Sequence, residues 1–204
     1  MNLNACQGWI RWIGGVAALA ALLTIFTGIW RGMRRPVGMT AGRAPGWLRS
    51  PLFYVVTSAL FGGFCILLWR PLPLALSSGA QAGALTLGAL LYFPGMAFVL
   101  WGRLTLGRMY FVSTSSGAQL FADHQLITRG AFAIVRHPMY AGLIAVGFGG
   151  LLIYRTWTWL FIAAIAPALL LRARREEQAL AARFGAEWEA YKACVPAWIP
   201  WRRR

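Results

Sequence analysis

The chain has 204 residues, of which 59% are hydrophobic and 12% are charged, whereas a soluble domain typically carries about 25% charged residues. This composition argues against a soluble protein. The net charge of +15 would suggest nucleic acid binding in a soluble protein, but here the basic residues lie between apolar runs of membrane length. We therefore expect a lipid bilayer as partner and no nucleic acid. The three cysteines are far apart and form no C-x-x-C pair, which disfavours a disulfide framework and a zinc site, and no metal is expected.

Three apolar runs in the first half of the chain are long enough to cross a membrane. A helix that crosses about 30 Å of hydrocarbon needs roughly 20 apolar residues. The runs at residues 12–30, 52–69 and 82–101 come close to this length and contain no Lys, Arg, Asp or Glu. We predict three transmembrane helices within residues 1–102.

The next apolar stretch is interrupted near its middle by Arg155. A single long helix would bury this charge in the membrane at a cost of several kcal/mol, whereas a hairpin would place it at the surface. The two short spans of the hairpin are residues 139–153 and 157–171. The hairpin is preferred because it also puts Tyr154, Trp157 and Trp159 at the interface, where aromatic residues collect. Five crossings result.

The basic residues predict the orientation of these five spans. Seventeen of the 20 follow the first, third or fifth span, and the other three are Arg11, Arg70 and Arg155. Because basic residues collect on the cytoplasmic side, we predict an N-terminus outside, a C-terminus in the cytoplasm, and insertion in the cell (inner) membrane. All five acidic residues fall on the same predicted cytoplasmic side, so polar chemistry is expected there.

A candidate polar site lies around the hairpin. Both histidines, His124 and His137, are in the loop before it. Pro138 suits the first turn of a helix, and the free N–H groups of a helix N-terminus can hold a carboxylate or a phosphate. After the hairpin, Arg172 and Glu176 are four residues apart and share a helix face. The alternative interpretation is an ordinary one, with the arginines as membrane anchors and the glutamate on a solvated face.

The residues after the hairpin predict an amphipathic C-terminal helix along the inner leaflet. Its apolar stripe consists of Leu180, Phe184, Trp188 and Tyr191. We expect a bend near Gly185, and contacts between the three terminal arginines and anionic headgroups. The fold class is thus an all-α integral membrane protein, with residues 1–204 forming a single membrane domain.

An ordered set of motifs gives the C-terminal half a specific resemblance. The motifs are LITRGAF at 126–132, RHPMYAG at 136–142, Glu176-Glu177, Phe184-Gly185, Tyr191, Val195-Pro196 and Pro200. In this order, over residues 103–201, they resemble the signature of the isoprenylcysteine carboxyl methyltransferase and phospholipid methyltransferase superfamily, integral-membrane enzymes that use S-adenosylmethionine. The resemblance implies methyl transfer to a hydrophobic or lipid-borne acceptor, such as an isoprenylcysteine-like carboxylate or an aminophospholipid. No obligatory protein partner is inferred.

The resemblance also implies roles for individual residues. The cofactor-binding residues are His124, Gln125, Leu126, Ile127, Phe132, Arg136, His137, Pro138, Met139, Tyr140 and Glu176. Phe132 stands where the family usually has tyrosine, which implies stacking without a hydroxyl contact. Arg172 matches a residue that holds the acceptor in the carboxyl methyltransferases. Glu177, or alternatively His137, would take a proton from a neutral amine acceptor, whereas a carboxylate or thiolate needs no base.

Two other functional classes stay open. Membrane sterol-type reductases share a related C-terminal architecture with an H-P-x-Y-like element and use NADPH. A non-catalytic membrane protein that retains the fold is the second alternative. The Glu176-Glu177 pair and the Phe184-Gly185 element favour the methyltransferase. The identity of the acceptor is not readable, because the spans that would shape its binding site are generic apolar sequence.

Overall fold

Helices dominate the computed structural model, which describes residues 3–42, 50–110 and 117–200. In chain order the elements are α1 (Leu3–Met33), β1 (Val37–Gly42), α2 (Pro51–Leu67), α3 (Ser78–Leu106), β2 (Gly117–Phe121), α4 (Pro138–Tyr154), α5 (Trp157–Ile165), α6 (Ala168–Phe184) and α7 (Ala186–Cys194). Short 3₁₀ turns occupy Gly107–Met109 and Gly130–Ala133. The terminal arginines that were predicted to contact headgroups lie outside the described residues.

Three helical stretches are long and apolar enough to cross a membrane, namely Leu3–Met33, Ser78–Met109 and Trp157–Phe184. Two shorter apolar helices, α2 and α4, have 17 residues each. The predicted helical membrane class is confirmed. Each of the five predicted spans falls on one of these helices.

The centre of the fold is the contact between α3 and α4, which small residues make possible. Along α3, Gly88, Gly95 and Gly102 recur at intervals of seven residues and face α4, where Gly142 and Gly149 face α3 in turn. A Cβ atom on Gly142 would lie 2.5 Å from the carbonyl oxygen of Gly95. Glycines permit such close backbone approach, which is how helices pack in lipid, where the hydrophobic effect between helices is weak.

The hairpin turns at Arg155. Its positive φ of 52° ends α4, and α5 begins two residues later at Trp157. The connection between α2 and α3 holds this turn: the Leu72 amide donates to the Arg155 carbonyl at 2.8 Å, and the Trp157 amide donates to the Arg70 carbonyl at 3.1 Å. The structure has a hairpin here, as predicted, and not one long helix.

Two of the three aromatic residues predicted at the interface pack inside the protein. Tyr154 and Trp159 stack with ring centroids 5.3 Å apart and 10° between the planes. Both rings contact Tyr92 of α3, which is completely buried. Trp157 is 45% exposed and keeps the expected outward position. Tyr154 and Trp159 pack on α3, which offers them a surface that the local sequence does not reveal; their interfacial depth stays a prediction.

A two-stranded antiparallel ribbon is the one departure from an all-α fold in the described residues. Strand β1 follows α1 and pairs with β2, with Thr40 opposite Gln119. Both strands contact α6, so the ribbon ties the end of α1 to the C-terminal half of the chain. The sequence VGMTAG of β1 alternates between hydrophobic and other residues, but it is short and contains two glycines, and it was not predicted as a strand.

The C-terminal helix bends where expected but faces the protein. Helices α6 and α7 meet at Gly185, whose φ is 49°. Trp188 is only 2% exposed and Tyr191 only 9%. The Tyr191 hydroxyl donates to the Phe132 carbonyl at 2.7 Å, and the Arg136 guanidinium lies 5.9 Å from the centre of the Trp188 ring. The predicted membrane-facing orientation is wrong for Trp188 and Tyr191, because these rings cover the loop before α4, whereas Leu180 and Phe184 are half-buried.

Candidate active site

Two adjoining cavities lie where the end of α3, the loop before α4, and helices α4 and α6 meet. Their empty volumes, which include space open to solvent, are about 730 Å³ and about 570 Å³. They share a wall formed by Leu106, Phe132, Arg136, His137 and Glu176. His137 and Glu176 come from different helices, yet a small molecule in either cavity would contact both.

The residues predicted to bind the cofactor all line these cavities. Those in the first cavity alone are His124, Gln125, Leu126 and Ile127. Those in the second cavity alone are Pro138, Met139 and Tyr140. Arg172, the predicted acceptor-binding residue, also lines the second cavity. Glu177, the predicted proton acceptor, lines neither cavity.

The loop before α4 is fixed by the segment that follows α7. The amides of Arg136 and His137 donate to the carbonyls of Pro196 and Ala197 at 2.8 Å and 3.1 Å. The Trp198 ring stacks on the His137 imidazole with centroids 5.1 Å apart. These contacts leave His137 only 6% exposed. Residues 196–198 therefore complete the site from a distant part of the chain.

Glu176 is held in the common wall by residues of the second cavity. Its carboxylate accepts a hydrogen bond from the Tyr140 hydroxyl and lies 4.0 Å from Nε of Arg172, one helical turn earlier. The Arg172 guanidinium in turn lies 5.5 Å from the centre of the Tyr140 ring. The carboxylate, the phenol and the guanidinium thus form one cluster that presents both signs of charge to a ligand.

Glu177 has different partners from its neighbour. Its Oε1 lies 2.8 Å from Nε2 of His137 and 3.0 Å from Nε of Arg136. Arg136 also donates to the Val195 carbonyl at 2.6 Å. A carboxylate bonded to an imidazole fixes the orientation of the ring and selects its tautomer. The geometry therefore gives Glu177 an orienting position behind His137.

His124 contributes a polar atom without a partner. Its Nδ1 is buried and forms no hydrogen bond within the part of the chain that the structure describes. Burial, followed by the positive charge of Arg35, lowers the pKa of His124 to about 4, so the ring is neutral at pH 7. Buried polar atoms normally have a partner. An unpartnered nitrogen in the wall of the first cavity suits a ligand that brings an N–H or O–H group.

Several cavity residues were not predicted as site residues. They are Leu106, Met109, Leu120, Leu180, Trp188 and Tyr191 in the first cavity, and Ile25, Leu106, Tyr110 and Leu143 in the second. Burial raises the pKa of Tyr191 to about 12, so its hydroxyl remains a donor. Leu180, Trp188 and Tyr191 follow Glu176 at helical spacing, and this periodicity was the signal in the sequence that could have assigned them to the site. Nothing in the apolar run at residues 12–30 of α1 distinguishes Ile25.

Comparison with known proteins identifies the family. The phospholipid methyltransferase family profile matches residues 84–187, from within α3 to the start of α7. The chain is also similar to the Protein-S-isoprenylcysteine O-methyltransferase of Schizosaccharomyces pombe, at 35% identity over 80 residues, which is 38% of this chain. That alignment spans 34% of the relative, about a third of its length. Since the profile covers just over half of the chain, this protein belongs to the phospholipid methyltransferase family.

Proposed function

We propose that this protein is an S-adenosylmethionine-dependent methyltransferase that modifies a hydrophobic or lipid-borne acceptor at the cytoplasmic face of the membrane. The observation that carries this proposal is the convergence of the motif residues on two adjoining cavities. Methyl transfer requires two molecules held side by side in a fixed orientation. Two cavities that share Phe132, His137 and Glu176 suit that task, and the family match supports the same class of reaction.

The proposal includes a topology of five crossings, formed by α1, α2, α3, α4 and the α5–α6 pair. Helices α2 and α4, with 17 residues each, are about 25 Å long, close to the thickness of the hydrocarbon core. All five acidic residues lie in the loop before α4 or on α6 and α7, at the cavity end. The excess of basic residues at that end supports a cytoplasmic C-terminus and an outside N-terminus in the cell (inner) membrane.

The first cavity is the proposed cofactor site. S-adenosylmethionine, when bound, supplies a methyl carbon on a cationic sulfur. The carboxylate of Glu176 would balance positive charge of the ligand, and Phe132 offers an aromatic face for stacking. The unpartnered nitrogen of His124 would complete its hydrogen bonding with the adenosyl end. These residues fit the cofactor that the family resemblance implies.

The second cavity is the proposed site of the acceptor and of the amino-acid part of the cofactor, which the resemblance assigns to His137, Pro138, Met139 and Tyr140. Arg172 lines it beside Tyr140, and a guanidinium binds a carboxylate or phosphate through paired hydrogen bonds. This residue favours an acceptor that carries an anionic group. A carboxylate acceptor already has a lone pair, so the protein needs only to orient it and exclude water. No protein partner enters this proposal.

An amine acceptor would also require removal of a proton. His137 lines both cavities, whereas Glu177 lies behind it at 2.8 Å from Nε2. We therefore assign contact with the acceptor to His137 and the stabilisation of its protonated form to Glu177. This division of roles refines the sequence-based alternative between the two residues.

Titration with S-adenosylhomocysteine tests the cofactor assignment. We expect saturable binding by the parent protein in detergent, loss of binding in Glu176→Ala, and normal binding in Glu189→Ala. The control carboxylate is 62% exposed on α7 and lines neither cavity. Equal binding by both variants would refute the assigned site. Saturable binding of NADPH instead would support the reductase class.

Labelled methyl transfer in native membranes tests the reaction itself. We expect label from the cofactor to enter a lipid-soluble product whose mass increases by one CH₂ unit. Candidate acceptors are a prenylated cysteine carboxylate and an aminophospholipid. Binding of the cofactor without label transfer to any membrane component would support the non-catalytic alternative.

A further inference from the structure

The end of the helix bundle opposite to the two cavities gathers positive charge. Arg11 of α1 and Arg155 of the hairpin turn converge on the side-chain amide of Gln7. With the amide oxygen turned toward them, Nη2 of Arg11 lies 2.6 Å and Nη2 of Arg155 lies 2.9 Å from that oxygen. All five acidic residues belong to the cavity end, so no carboxylate of the chain neutralises this pair.

Backbone groups satisfy the hydrogen bonding of these arginines only in part. Arg11 donates to the carbonyls of Ile153 and Tyr154 at 3.1 Å and 3.3 Å, at the C-terminal end of α4. A helix C-terminus carries the equivalent of about half a negative charge. Two guanidinium groups therefore leave a net positive charge of more than one unit at this end of the bundle.

An apolar groove begins at Arg11 and runs along α1. Its empty volume, part of it open to the surroundings, is about 930 Å³, and its walls include Trp12, Leu19, Trp69 and Trp159. Gly15 also lines the groove, and an added Cβ there would meet nothing within 4 Å. From Arg11 to Leu19 the helix rises about 12 Å, a length that accommodates part of an acyl chain.

One residue in the wall of the groove carries an unpartnered polar group. The indole N–H of Trp159, in the wall of the groove, is buried and has no hydrogen-bond partner among the described residues. The aromatic rings at the charged end also suit the headgroup region, where tryptophan and tyrosine collect. The groove thus has apolar walls and positive charge at one end.

We propose that this groove binds one anionic phospholipid, with its phosphate on Arg11 and Arg155 and one acyl chain along Trp12, Gly15 and Leu19. Charge complementarity identifies the occupant, because an anionic lipid supplies the negative charge that the chain itself lacks at this end. The lipid bridges α1 and the hairpin turn. It is separate from the proposed cofactor and acceptor sites, since it lies at the other end of α4.

Native mass spectrometry tests the proposal on the full chain, released from vesicles of equal parts phosphatidylglycerol and phosphatidylcholine. We expect one retained phosphatidylglycerol per protein. Arg155→Asn should weaken retention roughly fivefold, the effect of one basic residue near a lipid surface. Asparagine suits this position because it tolerates a positive φ. Arg70→Asn, which removes the same charge from an exposed residue at the same end, should retain the lipid.

A second variant tests the groove while both arginines remain. Gly15 lines the groove and a Cβ added there would meet nothing within 4 Å, so the fold of Gly15→Leu should persist, as judged by circular dichroism and elution volume. We expect loss of the retained lipid. Retention by Gly15→Leu, or equal losses in Arg155→Asn and Arg70→Asn, would overturn the proposal. Displacement of the lipid by inorganic phosphate alone would also overturn it, since it would indicate an anion site without a chain site.

Discussion

Replacement of Gly142 by alanine would test whether direct backbone contact between α3 and α4 holds the cavities in shape. The added Cβ would lie 2.5 Å from the Gly95 carbonyl oxygen and 2.8 Å from a methyl carbon of Val99. Ordinary contact starts at 3.4 Å, so the helices must separate locally by about 0.9 Å, the difference between these distances. Met139 and Tyr140 begin the same helix and line the second cavity, so this separation would also displace cavity residues.

The expected loss of stability follows from two opposing effects. Overpacking costs about 1–3 kcal/mol, and the upper end applies because the obstructing groups are backbone and a β-branched side chain. Alanine gains about 1 kcal/mol over glycine as a helix former. We therefore expect Gly142→Ala to lower the free energy of unfolding by about 2 kcal/mol. Gly63→Ala is the matched control on α2, because its Cβ would meet nothing within 4 Å.

The assay is reversible unfolding in mixed detergent, followed by circular dichroism, together with titration of S-adenosylhomocysteine. The control cancels the propensity gain, so the two variants should differ by about 3 kcal/mol. Gly142→Ala should also bind S-adenosylhomocysteine less tightly than Gly63→Ala does. A difference below about 1 kcal/mol would refute the reasoning, because it would mean that α3 and α4 move apart without cost.

Three further changes test the site. Arg172→Lys should raise KM for an anionic acceptor about tenfold while leaving cofactor affinity unchanged, because lysine lacks the paired donors. The control Arg174→Lys, on the exposed side of α6, should change neither KM nor cofactor affinity. An equal rise of KM in Arg174→Lys would refute a specific role for Arg172. Glu177→Gln should lower the free energy of unfolding by about 2 kcal/mol, since charged hydrogen bonds to His137 are lost; unchanged thermal unfolding would contradict this. The pKa of His124 is about 4 in the folded protein and about 6.5 in the unfolded chain, so the unfolded state binds more protons between these values and stability falls as pH decreases from 6.5 to 4. His124→Phe should therefore flatten the pH dependence of the unfolding temperature over this range. If the unfolding temperatures of the variant and the parent change in parallel with pH, the conclusion that His124 is buried in its neutral form is refuted.

Hydropathy was sufficient to predict the helices, and one charge was sufficient to predict the hairpin. Each apolar run matches a helix because lipid leaves the backbone no other way to satisfy its hydrogen bonds. Arg155 marked the turn because burial of an unpaired charge is costly. The motif residues of the loop and of α6 were likewise predicted together, and they line one pair of cavities.

Other features depend on contacts that local sequence does not record. The periodicity of Trp188 and Tyr191 indicated an apolar face, but not whether lipid or protein would cover it. The same ambiguity applied to Tyr154 and Trp159, which are adjacent to a charged turn and nevertheless pack on α3. The ribbon depends on pairing between segments about 80 residues apart, and a strand of five or six residues does not reveal its distant partner. The fold class could thus be predicted from composition, whereas the direction in which these side chains point could be learned only from the tertiary structure.

The segment after α7 also determines when in its synthesis the protein becomes competent. The carbonyls of Pro196 and Ala197 accept hydrogen bonds from the loop amides of Arg136 and His137, and these two residues leave the ribosome after helices α1 to α7 have been made. A nascent chain can therefore be fully inserted while its pocket is still open and inert. We expect a protease that removes residues 196–198 to have the same effect as a premature stop codon at that point, opening the candidate site while the helices stay in the bilayer.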